Sequence, residues 1–109
     1  MKLSVLAEKL ALKPVTEMCD KEITGVYISD MVSDVIANAK PGDLLVTVQI
    51  HNNVIAAANL VDIAGIVVTQ GKLPSEDVRK MAEKAQIPIF STDLSRWQVT
   101  TMLYEAGVR

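Results

Sequence analysis

Apolar residues recur along the chain in two alternating rhythms. Leu3, Leu6 and Leu10 fall at i, i+3 and i+7, the spacing of a helical stripe, and predict a short first helix with Ser4 or a neighbour at its start. Pro14 ends it, and residues 13–17 read as extended, in the manner of an edge strand, before a charged turn over 17–21. The run ITGVYIS (23–29) predicts a strand. Ser29-Asp30 then offers an N-cap for a helix with the stripe Val32, Val35, Ile36, Ala39, and Pro41-Gly42 stops it.

Residues 44–48 are continuously apolar, as in a strand covered on both faces. After the polar knot Gln49, His51, Asn52, Asn53, the helical spacing returns at Val54, Ala57, Ala58 and Val61. Ile55, Ala56 and Leu60 make other sides of this helix apolar too, which marks it as the most buried helix. Residues 63–69 form the next strand, and Leu73-Pro74-Ser75-Glu76-Asp77 starts a helix with acidic residues at its positive end. Val78, Met81, Ala82 and Ala85 are its inner stripe, with Glu76/Lys80 and Arg79/Glu83 spaced for surface pairing. Residues 87–90 are the last strand, assigned to an edge because of Pro88. Ser91, Thr92 or Asp93 caps a final helix that ends near Gly107, with Val99, Met102, Leu103 and Ala106 facing the core.

Strands and helices alternate from residue 22 onward. The predicted fold is therefore α/β: a three-layer sandwich, a mostly parallel sheet of about five strands with helices on both faces. A length of 109 residues suits a single domain spanning 1–109. Half of the residues are hydrophobic but only 4% are aromatic, so the core is aliphatic.

The formal charge of -2 comes without a basic cluster, so nucleic acid and anionic membrane surfaces are excluded as partners. The single Cys19 leaves no intramolecular disulfide. Charges at Lys2, Glu8 and Lys9 interrupt any signal-peptide core, and no apolar run is long enough to span a bilayer. The expectation is a soluble, cytoplasmic protein.

In open α/β sheets, ligands bind beyond the carboxyl ends of the strands. Those ends read Ser29-Asp30, Gln49 to Asn53, Thr69-Gln70-Gly71 and Ser91-Thr92-Asp93. All are polar and most precede a helix, whose free N–H groups and dipole favour an anion or a nucleotide-like group. The candidate ligand-binding residues are Thr47, Gln49, His51, Asn52, Thr69, Gln70, Gly71 and Ser91. The same residue types are also ordinary N-caps, and Asn52 and Asn53 read first as caps.

His51 is the only histidine and has no second ligand at metal-binding spacing, so no metal and no cofactor is expected. Gly71-Lys72 lacks the rest of a phosphate-binding loop, and no nucleophile elbow or paired catalytic carboxylates are present. An acid–base role for His51 would lack a visible partner to orient the imidazole. Trp97, Thr101 and Tyr104 fall at i, i+4 and i+7 on a second face of the last helix. They are either additional core or a candidate interface, since aromatic residues are favoured at interfaces.

The segments ITGVYISD, PGDLLVTVQIHNNVIAAA, GIVVTQGKLP and IPIFST, in this order and spacing, resemble the DRTGG domain family. Such domains accompany phosphotransacetylases and pyrophosphatases that carry nucleotide-binding CBS domains, and also stand alone. Where the family has Asp-Arg this chain has Ile50-His51; where it has Thr-Gly-Gly it has Thr69-Gln70-Gly71. Asn52 and Asn53 likewise stand in place of the usual Thr or Ser and Asp. The resemblance implies a fold similar to the non-catalytic N-terminal domain of HPr kinase/phosphatase. It also implies a regulatory, ligand-sensing role without catalysis: a homodimer, with a partner enzyme and a phosphorylated small molecule as candidate partners. The alternative is a pure protein-interaction or dimerisation module with no small-molecule ligand.

Overall fold

The computed structural model describes residues 1–17 and 19–108. Its elements run α1 (Leu3–Lys9), β1 (Lys13–Pro14), β2 (Gly25–Ile28), α2 (Val32–Asn38), β3 (Asp43–Thr47), α3 (Asn52–Val61), β4 (Gly65–Val68), α4 (Glu76–Lys84), β5 (Ile89–Ser91) and α5 (Arg96–Glu105). The five strands form one sheet in the order β1-β5-β4-β3-β2. All neighbours pair in parallel except β1, which runs antiparallel to β5. The carboxyl ends of β2 to β5 therefore lie along one rim.

Alternation along the strands sorts the core into two halves. Leu44 and Val46 of β3, Val67 of β4 and Phe90 of β5 pack with Leu3 and Leu6 of α1 and with Val99 and Leu103 of α5. On the opposite face Leu45, Ile66, Val68 and Ile89 pack with Val35 of α2, Val54, Ile55, Ala57 and Ala58 of α3, and Val78 and Ala82 of α4. β3 and β4 are buried along their whole length, which their continuous apolar runs require. The predicted three-layer α/β architecture is the one observed.

Several local expectations are corrected. β5 is an inner strand, because β1 pairs along its outer side. Pro88 precedes β5 and contributes only its carbonyl, which accepts the Ile66 N–H at 2.9 Å. The N-cap of α5 is Ser95 rather than Ser91, Thr92 or Asp93; its hydroxyl accepts the Gln98 N–H, and the Gln98 side chain accepts the Ser95 N–H, closing a capping box. The N-cap of α2 is Met31, whose N–H donates to Ser29 Oγ at 3.1 Å, while Asp30 turns elsewhere. Ser4 lies inside α1, bonded to Asp20 through both its N–H and its hydroxyl.

α3 buries four side chains, but Leu60 stays exposed on its outer side. Met81, expected on the inner stripe of α4, is likewise exposed, as is Ile36 of α2. Lys80 pairs with Glu76 at 3.5 Å as spaced, whereas Glu83 accepts the Glu17 N–H at 3.1 Å. The turn expected over 17–21 includes Met18, which lies outside the described residues. Among the described residues, no helix is long and apolar enough to cross a membrane.

Candidate functional site

The rim is organised by Asp30, the second residue beyond β2. Its Oδ1 accepts the Thr47 hydroxyl at 3.0 Å and the Val48 N–H at 2.9 Å, which fixes the end of β3. Its Oδ2 forms an ion pair with Arg96, the first residue of α5. Thr47 is buried, and its hydroxyl oxygen also accepts the Gln49 N–H at 3.1 Å. Thr47 and Gln49 thus lie beside Asp30 in one narrow crevice between α2 and α3, floored by Val35, Leu45 and Ala57.

At the end of β4 the backbone turns sharply. Gln70 and Gly71 both have positive φ, +62° and +69°. Their N–H groups donate to the carbonyls of Leu94 and Thr92, at 2.9 and 2.8 Å. The connection from β5 to α5 is thereby held across the end of β4. Thr69, the residue before this bridge, is fully buried, and its hydroxyl has no hydrogen-bond partner. Ser91 is buried within β5, paired with Lys13 on one side and Val68 on the other.

His51 is the N-cap of α3 and is exposed, with no hydrogen bond from its side chain to the helix. Asn52 and Asn53, expected as caps, are instead the first two residues of that helix and are exposed. His51, Ile50 and Asn52 face Ser75, Asp77 and Val78 across an open depression of about 340 Å³. Two helix N-termini, those of α3 and α4, meet there. Ser75 caps α4 by accepting the Val78 N–H at 3.3 Å.

The predicted residues therefore fall into three places: Thr47 and Gln49 around Asp30; Thr69, Gln70 and Gly71 at the end of β4; and His51 and Asn52 at the mouth between α3 and α4. Sequence reasoning read Asp30 as a cap and as part of a polar strand end but missed Arg96, because their pairing spans 66 positions and carries no local signal. Among the described residues, no group of three or more His, Cys, Asp and Glu could hold a metal ion.

A larger depression of about 720 Å³ lies away from the rim, along the open edge of β2. Residues 24–28 line it together with Asn38 and Lys40 on one side and Thr100, Leu103 and Tyr104 on the other. On α5, Trp97 is 75% exposed and Tyr104 62%, so neither is additional core; Thr101 is half-buried.

The DRTGG domain family matches residues 13–106, nearly the whole chain. The chain belongs to the DRTGG domain family. No curated protein matches it. Among solved structures, it is similar to the CBS and DRTGG domains of the regulatory region of Clostridium perfringens pyrophosphatase, complexed with an activator, diadenosine tetraphosphate. That likeness has a TM-score of 0.72 at 15% identity, covers 93% of this chain and 45% of the other, and shows a shared fold. This DRTGG domain thus spans less than half the length of that regulatory region.

Thr69-Gln70-Gly71 forms a left-handed turn, and Gln70 at its middle stands where glycine is the unstrained choice. Ile50-His51 lies at the entry to α3.

Proposed function

We propose that this chain, as one DRTGG domain over 1–109, is a non-catalytic ligand-sensing module that binds a nucleotide or another phosphorylated small molecule at the rim of strand ends. Through that ligand it regulates a partner enzyme in the cytoplasm. The observation that carries the reading is the convergence of the α3 and α4 N-termini on the depression at His51. Backbone N–H groups and the positive dipole end of α3, which has no acidic residue in its first turn, favour an anion there, whereas Glu76 and Asp77 already offset the dipole of α4. The pyrophosphatase regulatory region with this fold is complexed with diadenosine tetraphosphate, which supports a nucleotide-like ligand. Thermal-shift screening of nucleotides and phosphorylated metabolites tests the proposal. The expected result is stabilisation by at least one of them and its reduction in His51→Ala; a screen in which none stabilises the protein removes the ligand.

A second reading rests on the open β2 edge and the exposed Trp97 and Tyr104. In it the domain works by self-association, with Trp97, Thr101 and Tyr104 at the contact and no small molecule. Solution mass separates the two: Trp97→Ala or Tyr104→Ala then converts a dimer to a monomer while His51→Ala leaves it intact. A wild-type monomer at high micromolar concentration rejects this second reading.

A further inference from the structure

The open margin of the sheet holds a carboxylate that the fold uses only in part. Asp43 opens β3 and is only 8% exposed. Its Oδ2 accepts the Lys40 N–H at 2.9 Å. Its Oδ1 takes no part in that bond, no described residue donates to it, and the Lys40 ammonium forms no ion pair with the carboxylate. Gly25, paired with Asp43 across the ladder, makes room for this oxygen: a Cβ at position 25 would stand 2.6 Å from Oδ1. Both residues line the depression of about 720 Å³. A charge buried this deeply is ordinarily paired as well as hydrogen-bonded. Here one oxygen is left to whatever enters the depression.

The depression straddles the edge of β2 instead of lying on one face. Side chains alternate between the two faces of a strand. Val26 packs in the core half of α1 and α5, and the wall on that side is apolar, with Ile28 and Leu103. Tyr27 packs in the half of α2 and α3, and Gly25 and Asp43 share its side by alternation. That wall is polar and is completed by Asn38 and Lys40. The Tyr27 hydroxyl and the Asn38 amide both donate to Asp34, each at 2.7 Å, so two carboxylates stand on this side against one ammonium. Between the walls runs the outer edge of β2, with which no strand pairs. Such an edge presents a row of unpaired backbone N–H and C=O groups.

We propose that the β2 edge and Asp43 form a docking site for an extended basic segment of a partner protein. The segment adds to the sheet as a sixth strand and sets an arginine or lysine on Asp43 Oδ1. Its backbone satisfies the strand edge, and its side chains enter the two walls in turn, apolar toward α5 and basic toward α2. A cationic N–H donor gives the buried carboxylate the charge-assisted bond it lacks. The edge strand of a second copy, GVYI, has no basic residue to offer Asp43, so charge complementarity favours a different partner. Asp43 stands at the amino end of β3, opposite the rim, and the inference is therefore independent of the ligand-sensing reading.

The full chain, labelled with nitrogen-15, is titrated with two acetylated and amidated pentapeptides while its amide chemical shifts are followed. One has the sequence Val-Arg-Val-Thr-Val; in its twin, citrulline replaces arginine and removes the charge at nearly constant shape. The arginine peptide is expected to shift the amides of residues 25–28 and to bind at least about tenfold more tightly than its twin, the scale of one charge-assisted hydrogen bond. Asp43→Asn keeps an oxygen for the Lys40 N–H and turns an amide nitrogen toward the depression. It is expected to weaken the arginine peptide by at least about tenfold and leave the twin unchanged. Should that variant fail to fold, the two peptides on wild type decide alone. Equal affinities for the two peptides, equal affinity of wild type and folded Asp43→Asn, or no shift at millimolar peptide overturns the proposal. Shifts confined to the starts of α3 and α4 overturn it as well. A wild-type dimer whose β2 amides are already protected and which excludes both peptides assigns the margin to a second copy instead.

Discussion

The Thr16 hydroxyl oxygen accepts the Ile89 N–H at 3.0 Å, across 73 positions of sequence. The neighbouring Val15 N–H donates to the Ile89 carbonyl at 2.8 Å, so a side chain takes over the ladder where the backbone of β1 turns away. Thr16 is buried, and its loss strands the Ile89 donor. Thr16→Val is expected to cost about 1–3 kcal/mol, the range for a buried donor left unpaired. Thr16→Ser keeps the hydroxyl and retains most of the stability. Urea unfolding of the two variants against wild type measures the difference.

Gln70 holds a left-handed backbone with φ of +62°. A non-glycine residue in that region carries about 1–2 kcal/mol of steric cost, partly offset by the lower entropy of its unfolded state. Gln70→Gly, which removes that steric cost, is expected to stabilise the fold by about 1 kcal/mol. Thermal unfolding followed by circular dichroism reads this as a rise in Tm; a fall would show that the Gln70 side chain makes a compensating contact.

The Ser95/Gln98 capping box satisfies the Gln98 and Ser95 N–H groups at 3.2 and 3.0 Å. Ser95→Ala is expected to destabilise the domain by about 1 kcal/mol. Hydrogen exchange should show the loss concentrated in the first turn of α5, with the central strands protected as before.

Two carboxyl groups shape the acid limb of stability. The Ser4 hydroxyl, then the Ser4 N–H, holds Asp20 below its ordinary value of 3.8. The Ser29 hydroxyl, then Tyr27 and Asn38, does the same for Asp34. A depressed native pKa stabilises the folded state above the unfolded value, and that contribution disappears as pH falls through the native one. Stability from these groups is thus constant near neutrality and lost below about pH 4. Denaturation midpoints across this range should fall less steeply in Asp20→Asn and Asp34→Asn. Tyr27, hydrogen-bonded to Asp34 at 2.7 Å, is raised above 10.0, so its contribution holds through neutrality and is lost only as pH rises through the higher native value.

The sheet was legible in the sequence because β3 and β4 are covered on both faces and announce it with unbroken apolar runs. Amphipathic stripes likewise marked all five helices. Position within the sheet was harder: Pro88 suggested an edge, but a proline just before a strand contributes only a carbonyl, and the two-residue β1 covers β5. The cap of α5 was readable, since Ser95 and Gln98 have capping-box spacing, yet Ser91, Thr92 and Asp93 lay closer to the strand and drew the assignment. The rim was visible as a set of polar strand ends. Its division into three places was not, because Asp30 to Arg96 and Gln70 to the β5–α5 connection are long-range relationships.

β1 and β2 are the two margins of the sheet, and they differ in kind. β1 is two residues long and contains Pro14, which has no N–H to offer, beside the exposed Lys13. Short length, proline and lysine are the features that discourage a further strand from pairing. β2 has four residues and no such guard. Strand addition between copies thus has one available margin per molecule, and joining two of these through a twofold axis uses both. Were copies to pair through β2, the association would close at two and would not propagate into fibres.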